Sequence, residues 1–183
     1  MTDIDHKMPA SAEDRVPIIS AKDLLDDGTI DFVKVKRISE ADFCRLSRKS
    51  APQRGDIIYS RIGVIGKARM VETDVRFLAS YSCCTIKPDS AKVDATFLCH
   101  LMDSPFMLRQ AQRGVRAIAV PDLGLKEIKG FRIIVPPMQL QRVFAENVDK
   151  LKRTMGVMRQ GVNHLDSLFA TLQSRAFSGA LWG

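Results

Sequence analysis

Residues 121–129 read PDLGLKEIK and hold the letters of a metal-dependent nuclease site, Pro-Asp followed by Glu-x-Lys. Such a site needs the Asp and the Glu-x-Lys on neighbouring strands, so that both carboxylates share one metal ion. Four residues separate Asp122 from Glu127, too few for two strands, and no third carboxylate is evident. A second candidate is GDIIYSRIGVIGKARM at 55–70, where glycines and cations interleave with apolar residues. It is not a nucleotide-phosphate loop. Gly63 and Gly66 are three apart, and Ala68 follows Lys67 where Ser or Thr is required. The three histidines, His6, His100 and His164, stand alone in sequence, and no H-E-x-x-H or G-x-S-x-G run occurs. The Asn-Pro-Pro-aromatic tetrapeptide of DNA methyltransferases is absent: Val135 precedes Pro136-Pro137 and Met138 follows. Cys44, Cys83, Cys84 and Cys99 show no zinc spacing and read as buried thiols of a reducing compartment. No catalytic group, metal or cofactor is expected of this chain.

Binding chemistry fits better. The 183 residues carry a net charge of +7. Residues 34–69 alone hold ten Lys/Arg against Glu40, Asp42 and Asp56, which equals the whole net charge. A second basic stretch, 109–132, sets Arg109, Arg113, Arg116, Lys126, Lys129 and Arg132 against Asp122 and Glu127. The first 33 residues are acidic. A solvated surface mixes its signs more evenly, so a face for a polyanion is expected. Glycine lets a backbone approach a phosphate without a Cβ in the way. Lys34, Lys36, Arg48, Lys49, Arg54, Arg61, Lys67, Arg69, Arg113 and Arg116 are the candidate DNA-binding residues, with Lys34 and Lys36 alternating onto one face of a strand. Aromatic residues are 7% of the chain, which favours a duplex over a stacked single strand.

The elements that position these residues read as follows. Residues 1–15 form a polar tail. Strands are expected at the start of VPIISAKDLL, around 30–36, in GDIIYS, in VIGKARMV, in FLASYSCCTIKP and in FRIIV (131–135). Ser39, Asp94 and Ser104-Pro105 open helices. Residues 16–136 therefore make an α+β domain with an irregular mixed sheet.

From Pro137 the period changes. Phe144, Val148, Leu151, Met155, Met158, Val162, Leu165, Phe169 and Leu172 recur at alternating steps of four and three. This is a heptad seam, and residues 137–183 read as one long C-terminal coiled-coil helix. About 40 residues make a rod of roughly 60 Å, longer than a domain of this size can cover. Part of the seam is expected to pack on another helix. Ionic residues beside it are few (Lys152, Arg159, Asp166 and Arg175), so packing more than charge specifies the pairing. No run is apolar enough to span a membrane and no leader is recognised, which implies a cytoplasmic protein.

The ordered set VPIISAKDLLDDGTID, RGDIIYSRIGVIGKARMV, FLASYSCCTIKPDSAKVDATFLCHLMDS, RGVRAIAVPDLGLKEIKGFRIIVPPMQLQRVF and LFATLQSRAFSGAL resembles the specificity subunits of type I restriction–modification systems. The resemblance runs from about Val16 to Leu181. It implies a target-recognition domain at 16–136 that reads half of a bipartite double-stranded DNA site, followed by a spacer helix. It also implies partners: methyltransferase subunits docked on the helix and, through them, the restriction subunit. Catalysis, S-adenosylmethionine and ATP would belong to those partners. Family members carry an additional N-terminal segment and two copies of the domain and helix. This chain is therefore expected to be a half-subunit, as a homodimer or paired with another half, or else a truncated form. Near the helix start the family shows a Glu-Gln pair, which Gln141 best matches. Two other readings compete: an interaction protein acting through its helix, and a stand-alone nuclease.

Overall fold

Ile57, Ile58, Tyr59 and Ser60 are consecutive and all fully buried, so the strand they form is covered on both faces. That is why GDIIYS reads as an apolar run and not as an alternation. The computed structural model describes residues 16–115 and 120–178, without the side chains of Lys49 and Ser50. The chain divides into two units, one ending at Gln141 and one beginning at Arg142.

The first unit is built on two three-stranded sheets. In the first, β1 (Val16–Ile19) lies between β2 (Lys36–Ile38), antiparallel, and β5 (Leu78–Ala79), parallel. In the second, β3 (Ile57–Ser60) lies between β4 (Ala68–Met70) and β6 (Cys83–Ile86), both antiparallel to it. The register pairs Ile58 with both Arg69 and Thr85, and Tyr59 with Ala68 and Cys84. Successive side chains of β3 point to opposite faces. Ile57 and Tyr59 join a core with Leu98, Met102, Met107, Ala111, Leu123 and Ile128. Ile58 joins a second core with Ile19, Leu24, Val71, Phe77 and Cys83. A third core sets Val16, Ile18, Ile38 and Leu78 against Phe43 and Leu46 of α1 (Glu40–Ser50).

The helices of the first core begin where the sequence places them. The Asp94 carboxylate accepts from the Phe97 N–H at 3.0 Å to open α2 (Ala95–Met102). Ser104 Oγ accepts from the Met107 N–H, and Pro105 takes the first position of α3 (Pro105–Gly114). Ser39 Oγ accepts from the Asp42 N–H ahead of α1. A short α4 (Leu125–Lys129) follows.

Three expectations are corrected. The strand expected at 30–36 is β2 at Lys36–Ile38, and Ile30 makes only a bridge to Leu24. Lys34 therefore does not alternate with Lys36 along a strand. FRIIV (131–135) is not a strand. The side-chain amide of Gln110 takes the place of a strand neighbour: its Nε2 donates to the Arg132 carbonyl at 2.9 Å, and its Oε1 accepts from the Arg132 N–H at 3.0 Å. Cys44 is exposed, while Cys83, Cys84 and Cys99 are buried as expected. Burial pushes the Cys83 thiol up to about 12.

The long helix is present as α5 (Met138–Phe177), 40 residues without a break at Gly156 or Gly161. Its first turn belongs to the first unit through Gln141, which is 1% exposed. Gln141 Oε1 accepts from the Asp94 N–H at 2.8 Å, and its Nε2 donates to the Pro136 carbonyl at 2.7 Å. Gln141 thus binds the N-cap residue of α2 and is not presented to a partner. In the second unit the seam is open: Leu151, Met155, Met158, Val162, Leu165, Phe169 and Leu172 are each more than half exposed. Replacing Gln141 by Ala leaves a buried N–H and a carbonyl unpaired. We expect a loss of about 2 kcal/mol, measured by denaturant unfolding of the full chain; a change under about 0.5 kcal/mol would show that the amide contacts do not matter.

Candidate nucleic-acid interface

The cations of GDIIYSRIGVIGKARM lie on the β3–β4 hairpin, and most of them turn inward. Gly63 and Gly66 adopt φ values of +77° and +92°, a left-handed conformation that glycine accepts without strain. Several of the loop's own N–H groups are already used. The Gly63 N–H donates to the Pro121 carbonyl, the Gly66 N–H to the Ser60 carbonyl, and the Lys67 N–H to Ser60 Oγ. This loop closes the β3–β4 hairpin.

Arg61 is 5% exposed and Arg69 is 4% exposed. Arg61 donates to the carbonyls of Leu123 (3.0 Å) and Tyr81 (2.7 Å) and pairs with Asp122 at 3.3 Å. Arg69 donates to the carbonyls of Leu25 (2.7 Å) and Ala68 (2.6 Å) and pairs with Asp103 at 2.9 Å. Lys67 reaches the Leu24 carbonyl at 3.1 Å and Asp26 at 2.7 Å. The expectation that these three face DNA is corrected for the two arginines, which are interior ties. Lys67 is half-buried and engaged. Its ammonium holds the Asp26 carboxyl below the usual carboxylate range.

The other expected residues differ in place. Arg54 is exposed and forked onto Asp74, with contacts of 3.1 and 3.3 Å. The pair raises the Arg54 pKa and lowers that of Asp74, through the hydrogen bond first and the charge second. Lys34, Lys36, Arg48 and Arg113 are exposed. Lys36 has an internal contact, whereas Lys34, Arg48 and Arg113 make no side-chain hydrogen bond or ion pair among the described residues. The Lys49 side chain and Arg116 lie outside the described residues. The seam residues Phe144 and Val148 stand on α5 with the rest of their stripe.

Reading the sequence missed four cations as surface residues. Arg109, Lys126, Lys129 and Arg132 are exposed, with no side-chain partner among the described residues. Their signal was the basic stretch 109–132, counted but not ranked above 34–69. The nuclease letters come apart: Asp122 is paired with Arg61, and Glu127 and Lys129 lie on a helix. Among the described residues no group of His, Cys, Asp and Glu could hold a metal ion, and no helix is long and apolar enough to cross a membrane.

An α+β unit carrying exposed cations is thus followed in the chain by a long helix with an open apolar seam. Residues 12–165 match the family described as the type I restriction modification DNA specificity domain. The chain belongs to that family. It is 23% identical over 173 residues to the type I restriction enzyme EcoBI specificity subunit of Escherichia coli, covering 92% of this chain and 36% of that one. Among solved structures, the HsdS subunit from Thermoanaerobacter tengcongensis shares the fold at a TM-score of 0.58 with 21% identity. A chain from a type I R-M system, described for its complex assembly and conformational transition, shares it at 0.60 with 20% identity. Each structural match covers 79% of this chain and 37% of the other. The chain thus spans little more than a third of the length of these relatives.

The burial of Arg61 and Arg69 separates structural from surface cations. We expect Arg69→Ala to cost about 3 kcal/mol of stability, because it strips a buried charge network. Arg54→Ala should stay within about 0.5 kcal/mol, as for an exposed pair. Parallel thermal melts decide between them, and equal effects would contradict the burial argument.

Proposed function

We propose that the chain reads half of a bipartite double-stranded DNA site and pairs through α5 with a second half-subunit. The family match carries this reading, since it spans both the α+β unit and most of the helix. Exposed Lys34, Arg48 and Arg113 support contact with a polyanion. The open seam supports a helix partner, because each large apolar side chain left in water forgoes roughly 1.5–3 kcal/mol of burial. In this reading the partner methyltransferase and restriction subunits supply S-adenosylmethionine and ATP chemistry, and this chain supplies the address. The second half-subunit is another copy of this chain, its helix antiparallel, with one recognition unit for each half-site.

About six phosphate contacts would make duplex affinity fall roughly 10³-fold between 50 and 200 mM salt. Fluorescence anisotropy on a duplex across that range measures it. A flat response, or no binding even with methyltransferase subunits added, would count against DNA reading.

The seam makes a separate prediction. Wild-type protein should sediment as a dimer at tens of micromolar, and the Met158→Asp, Leu165→Asp double variant as a monomer. A strictly monomeric wild type would rule out self-pairing.

A further inference from the structure

The geometry points to a phosphate-backbone contact surface on the α3–α4 corner, formed by Arg109, Arg113, Lys126, Lys129 and Arg132. The inference rests on the DNA-reading assignment and says which face of the unit meets the duplex. It moves the main electrostatic contact away from residues 34–69, where the charge is densest in sequence.

The first observation is how the cations of 34–69 are used. Arg45, Arg54, Arg61, Lys67 and Arg69 each pair with an acid: Asp42, Asp74, Asp122, Asp26 and Asp103 respectively. Lys36 and Arg37 have contacts of their own. A phosphate approaching these groups must displace a carboxylate or break into the interior. Only Lys34 and Arg48 of that stretch have described side chains without a partner among the described residues.

The second observation is that 109–132 is arranged the opposite way. Arg109 and Arg113 are exposed and four residues apart on α3, so they share one face at a separation of roughly 6 Å. Arg132 is fastened beside them, because the Gln110 side chain grips its backbone N–H and carbonyl. That grip leaves the Arg132 guanidinium outside. Lys126 and Lys129 are exposed on α4, which packs against α3. None of the five side chains has a hydrogen bond or ion pair among the described residues.

The local acids offset only part of this charge. Asp122 is committed to Arg61. Glu127 is folded over glycines: a Cβ at Gly114 would lie 3.3 Å from Glu127 Cβ, and one at Gly124 would strike its carboxylate. Helix α3 itself has no acidic residue. Five cations, four on two packed helices and Arg132 just beyond them, match the regular negative charge of a duplex, one charge per ~1.7 Å of axis. Because they read phosphate, they should position the protein without specifying sequence.

Three full-length variants test this by duplex anisotropy over a salt series. Arg109→Gln/Arg113→Gln and Lys129→Gln/Arg132→Gln each remove two charges from the corner. Arg45→Gln/Lys92→Gln removes two exposed, ion-paired charges elsewhere and serves as the control for net charge. Each corner variant should lower the slope of log affinity against log salt by nearly 2, and weaken binding about tenfold or more at 100 mM salt. The loss should be similar on unrelated duplex sequences, and the control slope should shift by less than about half a unit. Thermal melts accompany each variant, and the two corner pairs act as independent checks should one of them destabilise the fold. Equal losses in corner and control variants would mean that only net charge matters, which overturns the proposal. Unchanged binding in both corner variants would place the phosphates on another face while leaving DNA reading intact. A wild type that binds no duplex, even with methyltransferase subunits, would remove both claims together.

Discussion

Two buried guanidinium groups hold the first unit together. Arg61 follows the last residue of β3 and Arg69 stands in the middle of β4, on the same hairpin, and both are almost completely buried. A buried charge is tolerated only when its donors are satisfied, and here each finds two carbonyls and one carboxylate. The carbonyls come from distant segments: Leu123 and Tyr81 for Arg61, Leu25 for Arg69. One hairpin thereby fixes the loop after β1, the turn before β6 and the approach to α4. Asp103 adds α2, since it pairs with Arg69 and also accepts from the Ala68 N–H at 2.9 Å. Irregular loops need these ties because they have few backbone ladders of their own.

This use of charge explains what could be read from the sequence and what could not. Local signals were legible. Ser39, Asp94 and Ser104-Pro105 cap helices through contacts only three residues long. The heptad seam was legible because its period repeats over many turns. The fate of each cation was not, because a sequence gives the number of charges and not their partners. Arg61 meets Asp122 across 61 residues, and Arg54 meets Asp74 across 20. The strand expected at FRIIV failed for a similar reason. Its composition suits a strand, but a side-chain amide from α3 has taken the groups that a neighbouring strand would use. Candidate site residues were thus legible as a class and misjudged in rank.

The two units also solve different stability problems. The first buries three apolar clusters around its sheets and spends polar groups on internal ties. The second is a helix whose apolar stripe is open. Forty residues exceed the length at which an isolated helix is marginal, but two glycines each cost about 1 kcal/mol and no tertiary burial compensates. A Cβ at Gly156 or Gly161 would meet nothing within 4 Å, so neither glycine is explained by a close approach within the chain. The proposed packing against a second helix would supply both missing terms, burial for the stripe and a neighbour for the small residues.

Gln141 stands where these two problems meet in sequence. An apolar residue there would continue the packing of the domain but would leave the Asp94 N–H and the Pro136 carbonyl without partners. An exposed polar residue would leave the first turn of α5 untied. A buried amide with both a donor and an acceptor satisfies the N-cap of α2 and the chain entering α5 at once. The first turn of α5 is therefore held by hydrogen bonds of fixed direction that all lie within the first unit.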